Sequence, residues 1–166
     1  SNTATDPTGS YWRDTWGPAG YTFVANVGIE AAEPITDMSH MFSGNQSWAG
    51  DDDMSSWDVS GVTSMFGTFG GCTLFNTDIG NWNTSSVTIM SNMFLNAQNF
   101  NQDIGNWDTS KVGTDLGGHS SLYAGMRGMF QNAAFDQDIS SWNVLNISSL
   151  PTDFDTSTPG TWTTAE

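Results

Sequence analysis

Apolar residues recur along this chain in two alternating patterns. Between 86 and 110, Val87, Met90, Met93, Phe94 and Ala97 stand at spacings of 3, 3, 1 and 3, the stripe of a short helix. Thr84, Ser85 and Ser86 precede it as N-cap candidates, and Asn96 with Gln98-Asn99 ends it. Phe100, Ile104 and Trp107 follow, with Asn101, Gln102, Asp103, Gly105 and Asn106 between them. That spacing predicts a short extended edge with a turn near Gly105-Asn106. Copies of the edge, laid side by side, would form a narrow parallel sheet with strands about 4.8 Å apart. Helices this short do not persist alone in water, so stacking must hold them.

The pattern repeats. Val62/Val87, Met65/Met90, Phe69/Phe94, Phe75/Phe100, Asp78/Asp103, Ile79/Ile104 and Trp82/Trp107 are related by a gapless offset of 25. An earlier copy runs from Ile35 through Met38, Phe42, Trp48, Met54 and Trp57, with two extra residues around Asp51-Asp52. A later copy holds Met126, Met129, Phe130, Ala133, Phe135, Ile139 and Trp142, after an insertion of about ten residues between Val112 and Met126. The boundaries are a capping segment 1–34 with one strand around Tyr21–Val27, four repeats (35–60, 61–85, 86–110 and 111–143, the last with the insertion 113–125), and a partial repeat with a C-terminal cap, 144–166, broken by Pro151. A period of this kind predicts a right-handed solenoid of mixed α/β character, with short parallel strands on one side and short helical turns on the other.

The run V-T-x-M-x-x-M-F-x-x-A-x-x-F-N-x-D-I-x-x-W-D-T-S resembles the 25–26-residue repeat of bacterial surface lipoproteins of the Listeria and Mycoplasma type, related to BspA-like leucine-rich repeats. Cys72 falls at the small position of Ala97 and Ala133, where such repeats often carry Cys. The resemblance covers about 35–154 and implies a leucine-rich-repeat-like solenoid, an extracellular or cell-surface setting, and binding rather than catalysis. It implies no particular ligand, and it does not cover the front segment or the insertion.

Charge narrows the partners. Three Lys and Arg against 18 Asp and Glu give a net charge of −15, which removes the basic patch that nucleic acid or an anionic membrane surface would need. The single cysteine excludes an intrachain disulfide framework. No apolar run is long enough to insert in a membrane, and Ser1–Ser10 does not read as a signal peptide.

The repeat aligns Asp53, Asp78, Asp103 and Asp138 in a column. Carboxylates about 5 Å apart repel by roughly 1 kcal/mol in water and about 3 kcal/mol at an effective dielectric of 20. Two kinds of relief are open: hydrogen bonds from backbone N–H groups, or a bound cation, for which Ca²⁺ suits oxygen ligands. Asp51, Asp52 and Asp53, bulged together, are the candidate metal spot. The Trp57, Trp82, Trp107 and Trp142 column reads as a stacked core ladder. Trp12, Trp16 and Trp162 lie off it as candidate exposed aromatics, while Trp48 takes the core position of Phe75. Asn76/Asn101 and Asn81/Asn106 suggest amide ladders. His40 has no partner at ligand spacing. His119 and Tyr123 lie in the insertion, where Ser120, Ser121 and Asp115 make no nucleophile motif. Candidate binding residues are therefore Asp78, Asp103, Asp138, His119 and Tyr123. The expected function is a non-catalytic adhesion or recognition module for a surface protein or glycan, using the sheet face and the insertion. Two alternatives stand beside it. One is a self-associating filament or layer subunit. The other is a glycan-acting enzyme with paired Asp, though no Asp pair has a context that would separate its pKa values.

Overall fold

The computed structural model of the chain describes residues 35–50, 52–113, 125–147 and 151–155. The front segment with its expected strand, insertion residues 114–124 and residues 156–166 of the expected cap lie outside these. The repeats form coils laid directly on one another, numbered one to four by the boundaries above.

The apolar stripe of coil three is buried throughout: Val87, Met90, Met93, Phe94 and Ala97 are all inaccessible to solvent. The backbone that buries it differs from the expected helix. Alternate N–H groups leave the coil: Met90 N donates to Gly125 O (2.9 Å), Asn92 N to Arg127 O (2.8 Å), Phe94 N to Met129 O (2.9 Å) and Asn96 N to Gln131 O (2.8 Å). The N–H groups between them close turns within the coil, Met93 to Met90 O, Leu95 to Asn92 O and Ala97 to Phe94 O. Coil one repeats this from Met38 to Asn45, coil two from Met65 to Cys72, and coil four from Gly128 to Ala133. Turns of three residues reproduce the spacing of a helical stripe, which explains why the sequence reads as one. Half of the donors instead serve the neighbouring coil.

The cause is a pair of left-handed positions. His40, Gly67, Asn92, Gly128 and Asp153 form one column, with φ between 57° and 60°. Gly44, Gly71, Asn96 and Asn132 form a second, with φ of 80°, 77°, 60° and 58°. Glycine adopts this region freely, and Asn tolerates it better than most residues. A left-handed residue in mid-stripe ends any helix. Among the described residues the one regular helix is a 3-10 turn, Asp52–Ser56, at the two-residue excess of coil one. Instead of continuous strands, the described coils pair through isolated parallel bridges, Asp37 to Ser64 to Ile89 to Gly125.

Aromatic columns fill the interior. Phe42, Phe69, Phe94 and Phe130 stack at centroid spacings of 5.4, 5.6 and 5.6 Å. Trp48, Phe75, Phe100 and Phe135 stack at 5.5, 5.7 and 6.0 Å. Trp57, Trp82, Trp107 and Trp142 stack at 6.3, 6.3 and 6.4 Å. These spacings suit offset stacking, worth about 0.5–1.5 kcal/mol per pair beyond area burial. Three of these indole N–H groups also find the preceding coil: Trp82 Nε1 donates to Met54 O (2.7 Å), Trp107 Nε1 to Ile79 O (3.1 Å) and Trp142 Nε1 to Ile104 O (3.1 Å). Trp82, Trp107 and Trp142 therefore hold their neighbouring coils by ring area and by a directed bond. A partial fifth turn adds to coil four through Gly128 N to Thr152 O and Phe130 N to Phe154 O.

Two substitutions separate this backbone from a helix by sign. Asn92→Ala should lower stability by about 1 kcal/mol, because Ala is costly at positive φ, whereas Asn92→Gly should be neutral or better. A helix would reverse the order. Urea denaturation of the two variants decides it. By the same measurement, Trp107→Ala should cost roughly 3–5 kcal/mol through its cavity and lost bond.

Candidate functional site

The turn after each extended edge presents the Asp column to solvent. Asp78, Asp103 and Asp138 are exposed, and each closes a turn by accepting the N–H two residues on: Gly80 (2.9 Å), Gly105 (3.0 Å) and Ser140 (2.9 Å). Each of these carboxylates thus takes a backbone N–H of its own coil. For Asp138, the Ser140 N–H and then its hydroxyl hold the carboxyl below the ordinary range.

A second column escaped the sequence reading. Asp58, Asn83, Asp108 and Asn143 follow the Trp column by one residue. Their side-chain oxygens accept from Ser60 N (3.0 Å), Ser85 N (3.2 Å), Ser110 N (2.9 Å) and Leu145 N (3.1 Å). The signal was present as Trp-Asp-Val-Ser, Trp-Asn-Thr-Ser, Trp-Asp-Thr-Ser and Trp-Asn-Val-Leu. Charge alternates along it, so no two carboxylates of this column sit on adjacent coils, whereas the Asp78 column has no such spacing. Together the two columns make one electronegative edge on either side of the buried Trp ladder.

The other singled-out residues fall elsewhere. Asp51, His119 and Tyr123 lie outside the described residues. Asp52 and Asp53 open the 3-10 turn, and their side chains are not described. Among the described residues no group of three or more His, Cys, Asp or Glu is placed to hold a metal ion. Cys72 is buried with its Sγ 2.9 Å from Phe42 O, and burial pushes the thiol up to about 11, so it is protonated at neutral pH. His40 sits exposed with its ring edge-on to Phe66 (4.8 Å). Trp48 stacks in its ladder position. The amide ladder forms at Asn76 and Asn101: Asn76 Oδ1 accepts from Asn101 N, and Asn101 Oδ1 accepts from Asp136 N, both at 2.9 Å.

The insertion leaves and rejoins the coil at neighbouring ladder positions. Gly113 N donates to Thr88 O (2.9 Å), and Gly125 bridges Ile89, the next residue. Across the insertion the equivalent residues Asn96 and Asn132 are 36 apart; removing the eleven residues 114–124 returns this offset to 25. The coil therefore keeps its register past the insertion. Lys111 and Arg127, the cations among the described residues, flank its two ends in sequence.

The turn carboxylates make stability depend on pH. The Ser60 hydroxyl and then its N–H hold the Asp58 carboxyl below the ordinary range, and Ser110 does the same for Asp108, helped by Lys111. A depressed folded pKa means stability present at neutral pH and lost as pH falls through that value. Urea midpoints should hold above about pH 5 and decline below about pH 4. Asp58→Asn with Asp108→Asn, the residue coils two and four already use, should keep both turns and make that decline shallower.

Comparison with known proteins gives one family. The profile described as "Mycoplasma protein of unknown function, DUF285" matches residues 20–118 and 119–159, the two segments meeting inside the insertion. No curated protein and no solved structure matches the chain. With most of its length covered by that profile, the chain belongs to the DUF285 family of Mycoplasma-type repeat proteins.

Proposed function

We propose that the chain is a leucine-rich-repeat-like solenoid of the BspA type, displayed at or outside the cell surface, that recognises a surface protein or a glycan without catalysis. The observation that carries this reading is the insertion: 114–124 is added between two adjacent ladder positions while the register on both sides is kept. Variable segments held on a rigid frame are where such frames carry binding. The ladder face beside it, with half-buried Phe66, Ile89 and Leu95, supplies apolar contact area. The electronegative edge favours a basic or neutral partner, and a charge-led contact weakens as salt shortens the screening length.

Joining Gly113 directly to Gly125 tests this. The shortened chain should fold with equal stability, or up to roughly 2 kcal/mol more from the lost loop-closure cost. Binding of the full chain to a glycan array or to a panel of basic surface proteins should be lost in the shortened chain. Equal binding by both chains would contradict the assignment to the insertion.

A further inference from the structure

Coils two and three approach the next coil so closely at the turn that the column of Gly80 and Gly105 has no room for a side chain. A Cβ on Gly80 would run into the carbonyl oxygen of Asp103 in coil three, and one on Gly105 would lie 2.7 Å from the carbonyl oxygen of Asp138 in coil four. Both obstacles are backbone and neither can swing aside. Coil four repeats the same local geometry. Asp138 accepts from Ser140 N at 2.9 Å, as Asp78 and Asp103 accept from Gly80 and Gly105. Trp142 reaches Ile104 O as Trp107 reaches Ile79 O, both at 3.1 Å. Yet this column holds Ser140, and Ser140 is exposed.

We propose that Ser140 is a stop built into the stack: its side chain occupies the space that the carbonyl of a following coil would need, so no further regular coil, of this chain or of a second copy, can seat on the turn edge of coil four. Exposure at the same edge agrees. Val144 is 52% exposed and Leu145 89%, whereas Val59, Thr84 and Thr109, which precede Val144 in its column, are buried under the next coil. Thr84 and Thr109 donate their hydroxyls to Asp108 O and Asn143 O of that next coil, and Val144 has no hydroxyl to give. Val59 shows that this hydroxyl is dispensable, so the missing space at Ser140 decides. Ser55 stands at the equivalent place in coil one, but there the 3-10 turn Asp52–Ser56 replaces the Asx turn. The described residues of the partial fifth turn meet the other half of coil four, at Gly128 and Phe130.

Substitutions in the native chain test the steric claim. Gly105→Ser should lower the urea midpoint by about 1 M or abolish folding, and Ser140→Gly should leave the midpoint where it is. A Gly105→Ser chain as stable as the parent overturns the proposal. A second pair tests the stop itself. A copy of residues 86–110 inserted after Leu145 places a complete coil against Ser140. The extended chain should be less stable than the same chain with Ser140→Gly, by a comparable shift in midpoint. Equal midpoints for the extended pair overturn it.

Discussion

Every feature of this molecule depends on how closely one coil can approach the next. The approach is set by backbone hydrogen bonds donated by alternate residues, Met90, Asn92, Phe94 and Asn96 in coil three, while the residues between them close turns at home. That division requires a left-handed residue twice per coil. Gly, Asn and, once each, His and Asp supply it. The aromatic columns follow from it: the rings land over their equivalents because the coils are in register, and the indole N–H groups of Trp82, Trp107 and Trp142 reach back one coil. Stability is thereby a sum of coil-to-coil contacts, the expected behaviour of an array in which no unit buries its face alone.

Much of this was legible. The offset of 25 and the core membership of Met, Phe, Ile and Trp follow from the apolar columns, since a side chain that recurs in every copy must meet itself, and Cys72 is buried with them at the position of Ala97 and Ala133. The amide ladder at Asn76 and Asn101 was legible for the same reason. The backbone was not. Val87 to Ala97 reads as a helix because three-residue turns and a helical face share their apolar spacing, and the left-handed columns of Gly67/Asn92/Gly128 and Gly71/Asn96/Asn132 distinguish them. The second turn column was hidden because Asp58, Asn83, Asp108 and Asn143 alternate between two residue types that do one structural task. Of the candidate site, the exposed Asp column was legible, but its local hydrogen bonding was not. Asp78, Asp103 and Asp138 are committed to their own turns, and a sequence column cannot show whether a carboxylate faces its own backbone or a ligand.

The edge and the insertion play different parts. The turn edge is electronegative, and the carboxylates of Asp78, Asp103 and Asp138 each accept a backbone N–H of their own turn. The insertion interrupts the repeat at one point without disturbing the register, and the family match divides within it. The described residues on both sides of it, Gly113 and Gly125, hold neighbouring ladder positions against Thr88 and Ile89.

The most direct test of the account is the observation of hydrogen-bond scalar couplings by NMR in the intact chain. The coil-to-coil ladder predicts couplings from Phe94 N to the Met129 carbonyl and from Asn92 N to the Arg127 carbonyl, with Leu95 N coupled to the Asn92 carbonyl between them. Couplings from Phe94 N to Met90 and from Ala97 N to Met93, the four-residue pattern of an α-helix, would contradict it.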